Sequence, residues 1–545
     1  MSVDMGASCR MPWTSSAPFS RASRENGRTG GREIAASHRA DATRDPGRAA
    51  PGPYACQVTQ RLYDSKTRTL LDLAPLRPGE LSMYVCGPTV QSAPHIGHLR
   101  SALVYDQIRR WLEYTGLRVT LVRNVTDIDD KTLANATEHE PWWALAYRVE
   151  REFNDAYDRL GIRRPTYEPR ATASIPEMQA IIATLIERGH AYPADDGSGD
   201  VYFDTASWPA YGALTHQGRD DMEAATDSVS RAKRDPRDFA LWKGRKPEEP
   251  ETASWASPWG AGRPGWHIEC SAMSTKYLGE AFDVHGGGLD LRFPHHENEL
   301  AQSNAAGHAF ASVWLHNGLV AMAGQKMSKS IGNIVSASEL LEGARPIVVR
   351  YFLGSAHYRS TIEYSAQSLD EAARSFARIE SFLERVAREA PGAVTASVVR
   401  GGSARANERF EAAMLDDFGV PQALAALHDE VTLGNQLVDA GDGAAARASR
   451  DRVVAMLDVL GVNPLDEAWS GAAGAGGDER ELLRGALDSL VQGLVEERAR
   501  ARAERDFARA DAIRDRLAAA GVATQDSAGG THWTVSAATD AERGA

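Results

Sequence analysis

Cysteine is scarce in this chain: 545 residues carry four, at Cys9, Cys56, Cys86 and Cys270. So few, so scattered, exclude a disulfide scaffold at this length. No C-x-x-C pair occurs, which also excludes a zinc ribbon or a thioredoxin-type motif. No apolar run is long enough to span a bilayer. The N-terminal stretch lacks an apolar h-region, so secretion is not expected and a cytoplasmic location is. Positive charge is in deficit, with a net charge of −13. That total does not forbid a nucleic-acid partner, because local basic patches decide such binding.

What is present suits several domains with more than one core. Residues 1–57 are rich in Arg, Ser, Ala and Gly and have almost no apolar periodicity. Asp4, Glu25, Glu33, Asp41 and Asp45 argue against a transit peptide. The segment reads as a disordered tail, the product of a start codon assigned too early, and Cys9 and Cys56 receive no role.

Two short strings carry the chemistry, Pro94-His95-Ile96-Gly97-His98 and Lys326-Met327-Ser328-Lys329-Ser330. Upstream of the first, Leu81–Val85 reads as a short apolar strand stopped by Cys86-Gly87-Pro88. Downstream, Leu99, Ala102, Leu103, Tyr105, Ile108 and Leu112 recur at helical spacing, which predicts a helix starting near His95. Strand, tight turn and helix N-terminus together offer free backbone N–H groups and a positive dipole end to an anion. Gly97 lets a flat base or ribose approach the backbone. His95 and His98, three apart, share one face of the first turn and can donate to triphosphate oxygens. Standing alone, the string would read as a capped helix with two incidental histidines. Lys326 and Lys329 place two compact charges on a stretch bracketed by Gly324 and Gly332, able to close over a pyrophosphate leaving group. A doubly wound α/β domain doing adenylate-forming chemistry is the reading of the pair.

Cys86 ends the first strand, Cys270 lies in an apolar-flanked segment, and His295 and Glu299 stand four apart, one helical face. Two thiolates, an imidazole and a carboxylate would make a four-ligand zinc site, although spacing alone leaves buried structural cysteines equally open. A metalloprotease helix is excluded, because Leu300 follows His296 by four and no H-E-x-x-H exists.

HIGH followed by KMSKS resembles the signature of class I aminoacyl-tRNA synthetases. The surrounding residues are similar to the cysteinyl-tRNA synthetase family in four stretches: Cys86–Val90, Arg123–Lys131, Gly265–Met273, and His285-Gly286-Gly287-Gly288 through Phe293–Glu299. The resemblance runs from about Arg61 to about Val535. It implies Cys86, Cys270, His295 and Glu299 as ligands of one zinc ion per subunit. It further implies Gly87, Thr126 and Trp266 around a substrate cysteine, and His95, Gly97, His98, Gly287, Asp290, Lys326 and Lys329 at Mg2+-bound ATP. Of these, His95, His98, Lys326 and Lys329 are the expected catalytic residues. Asp290 is expected on the ribose or on the substrate amine. The implied partners are ATP, L-cysteine and tRNA(Cys), and the implied assembly is a monomer. Selection of cysteine over serine would fall to the metal, since packing separates the two side chains weakly and a thiophilic ion separates them strongly.

The expected architecture is α/β: a doubly wound Rossmann-type parallel-sheet catalytic domain with an insertion, then an α-helical bundle and a small C-terminal anticodon-binding domain. The expected boundaries are a tail at 1–57, catalytic halves at 58–170 and 264–335, and a connective insertion at 171–263. A stem-contact region at 336–366, a bundle at 367–465, a linker at 466–478 and the C-terminal domain at 479–545 follow. In the last, Arg498, Arg500, Arg502, Arg505, Arg509, Arg514 and Arg516 surround Phe507 ahead of Trp533. Glu504, Asp506, Asp511 and Asp515 alternate with them, so an exposed salt-bridged helix and an RNA-binding surface are both open on pattern.

One rival on the same scaffold is the ligase joining cysteine to an amino-sugar inositol in mycothiol synthesis. It lacks the C-terminal domain and usually carries Leu where this chain has Ile96. A non-catalytic tRNA- or zinc-binding paralogue is the other rival, against which the intact His95, His98, Lys326 and Lys329 speak. Many family members carry Tyr-Asp where this chain has Gln91-Ser92, which leaves contacts at that turn open.

Overall fold

The computed structural model describes residues 59–218, 232–322, 324–326, 334–470, 477–527 and 530–535. The expected N-terminal tail lies outside the described residues. In chain order a hairpin of β1 (Arg61–Asp64) and β2 (Thr69–Asp72) leads into β3 (Glu80–Val85), α1 (Ile96–Tyr114) and β4 (Arg118–Arg123). Next come α2 (Asp130–Asn135), α3 (Trp142–Arg159) and α4 (Ile175–Glu187). Strands β5 (Ala191–Pro193), β6 (Val201–Phe203), β7 (Phe239–Gly244) and β8 (Gly262–Pro264) pair antiparallel in a sheet of their own.

The chain then returns through α5 (Trp266–Leu278), β9 (Ala281–Gly288), a π-turn at Arg292–His296, α6 (Glu297–Ala306) and β10 (Phe310–Asn317). A three-stranded sheet of β11 (Val320–Met322), β12 (Gln325–Lys326) and β13 (Ile362–Glu363) encloses α7 (Ala337–Gly343) and α8 (Pro346–Gly354) in sequence. Helices α9 (Ala366–Glu389), α10 (Glu408–Leu415), α11 (Val420–Asp439), α12 (Gly443–Leu460) and α13 (Glu467–Ser470) follow. The chain closes with α14 (Gly477–Ala503), α15 (Phe507–Ala519) and the hairpin β14 (Val522–Ser527)–β15 (Gly530–Val535).

The central sheet runs β10-β9-β3-β4 with every pair parallel. Such strands are buried on both faces, and Met83, Tyr84 and Val85 of β3 are all 2% exposed or less. The first strand of this sheet in the chain, β3, lies between the second, β4, and the third, β9. The winding therefore reverses between β3 and β9, and ligands of doubly wound sheets bind at the carboxyl ends of such a pair. Register fixes what meets there: Tyr84 opposes His285, Val85 opposes Gly286, and the Cys86 N–H donates to the Gly286 carbonyl at 3.0 Å.

The glycines at 286–288 belong to β9 itself. At Gly286 the reason is packing: a Cβ would lie 2.3 Å from Cε1 of Tyr105, so α1 could not sit on the sheet. The Tyr105 hydroxyl donates to the Leu315 carbonyl at 2.9 Å, tying α1 to β10.

The helices after β13 are amphipathic, as α9 illustrates by burying Phe376, Ile379, Phe382, Leu383 and Val386 at three- and four-residue intervals. Their core is continuous with that under α1, through Trp111 and Tyr114. A separate small cluster of Val491, Val495, Ile513, Leu517 and Val522 holds the last elements together, with Trp533 packed on it.

Candidate active site

A cavity of about 760 Å³ opens at the carboxyl ends of β3 and β9. Its wall includes Cys86, Gly87, His95, Gly97, His98, Trp266, Glu269 and Asp290. The HIGH string forms the start of α1. His95 is the extended N-cap; its Nδ1 accepts from the Gly97 N–H at 3.1 Å, and His98 Nδ1 accepts from the His95 N–H at 3.2 Å. This is a capping box built from two imidazoles. Their rings stack, with centroids 3.7 Å apart, so both edges face the cavity from one turn.

Cys86, Cys270 and the His295–Glu299 pair converge from three separate stretches, each residue offering a donor atom within 4.8 Å of the others. Three are 1% exposed or less and Cys86 is 9% exposed. Cys86 Sγ stands 3.7 Å from Cys270 Sγ and 3.3 Å from Glu299 Oε1, while His295 Nε2 is 3.0 Å from the same oxygen. The sulfurs are too far apart for a disulfide. Two thiolates bound at about 2.3 Å to a tetrahedral zinc would lie about 3.8 Å apart, so the pair fits that ion as it stands.

Behind the four donors, Glu299 Oε2 takes the Nε2 of His285 at 2.8 Å, His295 Nδ1 meets His267 Nδ1 at 3.0 Å, and the Trp266 ring stacks on His295 at 4.2 Å. A second donor set, Cys86, His285, His296 and Glu299, shares two members with the first. The first set holds both thiols, the softer and more zinc-selective combination.

The electrostatics match a cation site. Burial disfavours charge on Glu299, yet the imidazoles of His285 and His295 outweigh it and hold the carboxyl well below its usual range. Burial likewise opposes charge on His295, and Glu299 beside it wins, bringing it up to about 10. Burial and the neighbouring Cys270 push the Cys86 thiol up. For Cys270, burial is outweighed by the hydrogen bond from Cys86, which brings its thiol down. One thiolate is thus favoured even without an ion, at the expense of the other.

Gly87 and Trp266 lie on the cavity wall, but Thr126 stands behind it. Thr126 is 1% exposed; its hydroxyl donates to Glu269 Oε2 at 2.7 Å and accepts from Asn124 Nδ2 at 3.3 Å. Gly287 is also set back, since a Cβ there would lie 2.6 Å from His296 Cε1; Gly288 and Asp290 supply that part of the wall. Lys326 ends β12, paired with Ala321 of β11. Lys329 lies outside the described residues.

Sequence reasoning assigned no role to Glu269, His285 or His267. The available signal was an acid set between Trp266 and Cys270 in a helical stretch that also holds Ile268, Ala272 and Met273. Burial, with Cys270 and Asp127 adding to it, raises the Glu269 carboxyl well above its usual range.

A parallel sheet with a histidine-capped helix at its switch point, in a chain that also carries a KMSKS string, defines a class I aminoacyl-tRNA synthetase. The family model described as "tRNA synthetases class I (C) catalytic domain" matches residues 72–374, the DALR domain matches 409–464, and the cysteinyl-tRNA ligase anticodon binding domain matches 484–533. The cysteine–tRNA ligase of Clavibacter sepedonicus is 63% identical over 487 residues, covering 88% of this chain and 99% of the relative. That of Leifsonia xyli subsp. xyli is 61% identical over 486 residues, covering 88% and 100%. The chain belongs to the cysteine–tRNA ligase family. In fold it is also similar to the LeuRS of an Agrobacterium radiobacter K84 ternary complex with tRNA and LeuAMS, at a TM-score of 0.52 and 11% identity. That likeness covers 74% of this chain and 86% of that one.

Proposed function

We propose that the chain charges tRNA(Cys): it activates L-cysteine with Mg2+-bound ATP and transfers the cysteinyl group to the terminal hydroxyl of the tRNA. The observation that carries this reading is the meeting of two thiols, an imidazole and a carboxylate beside a cavity walled by His95 and His98, at the switch point of the sheet. In the first step the cysteine carboxylate oxygen attacks the α-phosphorus, and the bond to the β-phosphate oxygen breaks to release pyrophosphate. In the second, the tRNA hydroxyl attacks the carbonyl carbon of the mixed anhydride, loses its proton, and AMP leaves. His95 and His98 donate to phosphate oxygens from the start of α1, with Lys326 and Lys329 on the pyrophosphate side. Gly97 and Asp290 sit against the nucleoside, with Gly287 behind them. Positioning and charge stabilisation supply most of the rate.

Cys86, Cys270, His295 and Glu299 would hold a zinc ion. When bound, it supplies a soft acceptor for the substrate thiolate that a serine hydroxyl cannot satisfy. Trp266 and Gly87 shape the space beside those donors. The domain boundaries expected from the sequence are proposed with this reading, as are a monomeric state and a cytoplasmic location.

The rival amino-sugar ligase is disfavoured by the match of residues 484–533 to an anticodon binding domain.

The test is pyrophosphate exchange with cysteine and with serine, then charging of tRNA(Cys) against the glucosaminyl-inositol acceptor. Exchange with cysteine alone, charging of the tRNA alone, and one zinc per chain that Cys86→Ala abolishes are expected. Serine exchange rivalling that of cysteine defeats the selection mechanism.

A further inference from the structure

Glu269 occupies the first turn of α5, between Trp266 and Cys270, and is fully buried. Its Oε2 accepts the Thr126 hydroxyl at 2.7 Å. Its Oε1 has no hydrogen-bond partner among the described residues. A buried carboxylate oxygen left without a donor carries a large desolvation penalty.

Two other buried carboxylates nearby show how the chain normally meets that penalty. Glu297 takes the N–H groups of Gly212, Leu214 and Thr215 and the Thr215 hydroxyl. Asp283 takes the N–H groups of Leu76 and Ser82 and the Ser82 hydroxyl. Glu269 differs from both, and it alone of the three lies on the cavity wall. The missing partner is therefore a donor that arrives in the cavity, and a cationic donor makes the stronger hydrogen bond to a carboxylate oxygen.

We propose that Glu269 Oε1 binds the α-ammonium group of the substrate cysteine, while Thr126 holds the other carboxylate oxygen in place. This rests on the reading that cysteine is the substrate and that its sulfur lies at the Cys86–Cys270 cluster. Cys270 is the next residue along α5, and in cysteine only the Cβ–Cα link separates the sulfur from the nitrogen. A sulfur at that cluster brings the ammonium to the part of the wall where Glu269 stands. Thr126 is then a positioning residue, which explains why it stands behind the wall. The site selects a thiol bearing an ammonium group, so 3-mercaptopropionate, which has the thiol and carboxylate alone, loses the contact.

The experiment compares binding of cysteine and 3-mercaptopropionate to the zinc-loaded full chain by calorimetry, in the parent protein and in Glu269→Gln. The amide keeps the size of the side chain and an acceptor for Thr126 but removes the charge. Cysteine binding is expected to weaken about 10- to 100-fold, the range for a hydrogen bond to a charged group. Binding of 3-mercaptopropionate is expected to stay level. In pyrophosphate exchange the KM for cysteine rises in step while that for ATP holds. Equal weakening of both thiols, or unchanged cysteine binding, overturns the assignment.

If Glu269→Gln fails to fold by circular dichroism, Glu269→Asp decides, since it keeps the charge and retracts it by one methylene. Weakened cysteine binding with level 3-mercaptopropionate binding supports the proposal, and an equal effect on both overturns it. A parent protein that does not bind cysteine defeats the functional reading as well. A cysteine-active parent with an indifferent Glu269 variant defeats this inference alone.

Discussion

Gly87 has no room for a side chain. A Cβ there would stand 1.7 Å from the Asn124 carbonyl oxygen, and the Gly87 N–H already donates to Asn124 Oδ1 at 2.8 Å. Backbone cannot swing aside as a flexible side-chain tip does. Gly87→Ala therefore pushes apart the turn after β3 and the stretch from Asn124 to Thr126. The expected cost is about 1–3 kcal/mol of stability, read as a lowered thermal midpoint. Because that stretch carries the Thr126–Glu269 contact, the KM for cysteine in pyrophosphate exchange should rise more than that for ATP. Equal rises would mean that the turn serves the nucleotide instead. At this scale the sequence was readable where the proposed function rests on contiguous strings, as with His95 and His98. The four proposed metal donors span Cys86 to Glu299, and spacing alone could not separate them from buried structural cysteines. Resemblance named them, and the fold brings them together. Glu269 was missed because a buried acid in a helix shows its meaning only through the hydrogen bond it lacks.

Among the elements, the arginine-rich run shows where periodicity misleads. It reads as one helix but is two, α14 and α15. Arg505 adopts a φ of +62°, and Asp506 caps α15 by accepting from the Arg509 N–H at 3.1 Å. A short polar residue that can cap competes with helix continuation, and no apolar pattern crosses the break to oppose it. Part of the run is ion-paired, Arg509 with Glu497 at 2.7 Å and Arg514 with Asp511 and Asp515 at 3.1 and 3.0 Å. Phe507 stays 62% exposed at the start of α15, and such an aromatic beside arginines suits an unstacked base. These elements pack on their own small cluster, separate from the cores under the sheet and the helices that follow. Of the linker expected at 466–478, residues 471–476 lie outside the described residues, while Glu467–Ser470 form α13 and α14 begins at Gly477. A chain ending at Ser470 should accordingly keep cysteine-dependent pyrophosphate exchange at the parent rate. Its charging of tRNA(Cys) should fall about 10- to 100-fold through loss of base and phosphate contacts. Charging at the parent rate would remove this region from tRNA recognition.

Across the whole molecule, the doubly wound sheet and the later helices are joined through one buried ion cluster. Asp106 of α1 is 2% exposed and pairs with Arg110 at 2.8 Å, Arg163 at 3.4 Å and Arg350 at 2.5 Å. Arg350, on α8, is fully buried and also donates to the carbonyls of Leu160 and Gly161 at 3.0 Å and of Leu460 at 3.2 Å. One guanidinium thus fastens α1, the residues after α3, and the end of α12 to α8. Nothing in the sequence shows this, because Asp106 and Arg350 look like ordinary charges on two helices until the helices cross. Burial works against charge on Asp106, but Arg110, Arg350 and Arg163 outweigh it and hold the carboxyl well below its usual range. A carboxyl whose folded pKa is depressed adds stability that is fully present above its unfolded value, about 3.9. That stability is lost as the pH falls from there through the folded value. Asp106→Asn removes it at every pH and leaves buried arginines without their counter-charge, a loss of about 3–5 kcal/mol. The thermal midpoint at neutral pH should drop, followed by circular dichroism. Below about pH 4 the parent protein loses the same contribution, so the gap between parent and variant should narrow as the pH is lowered. A gap that stays constant down the acid range would show that Asp106 holds the joint by shape and hydrogen bonding, and that its charge contributes nothing.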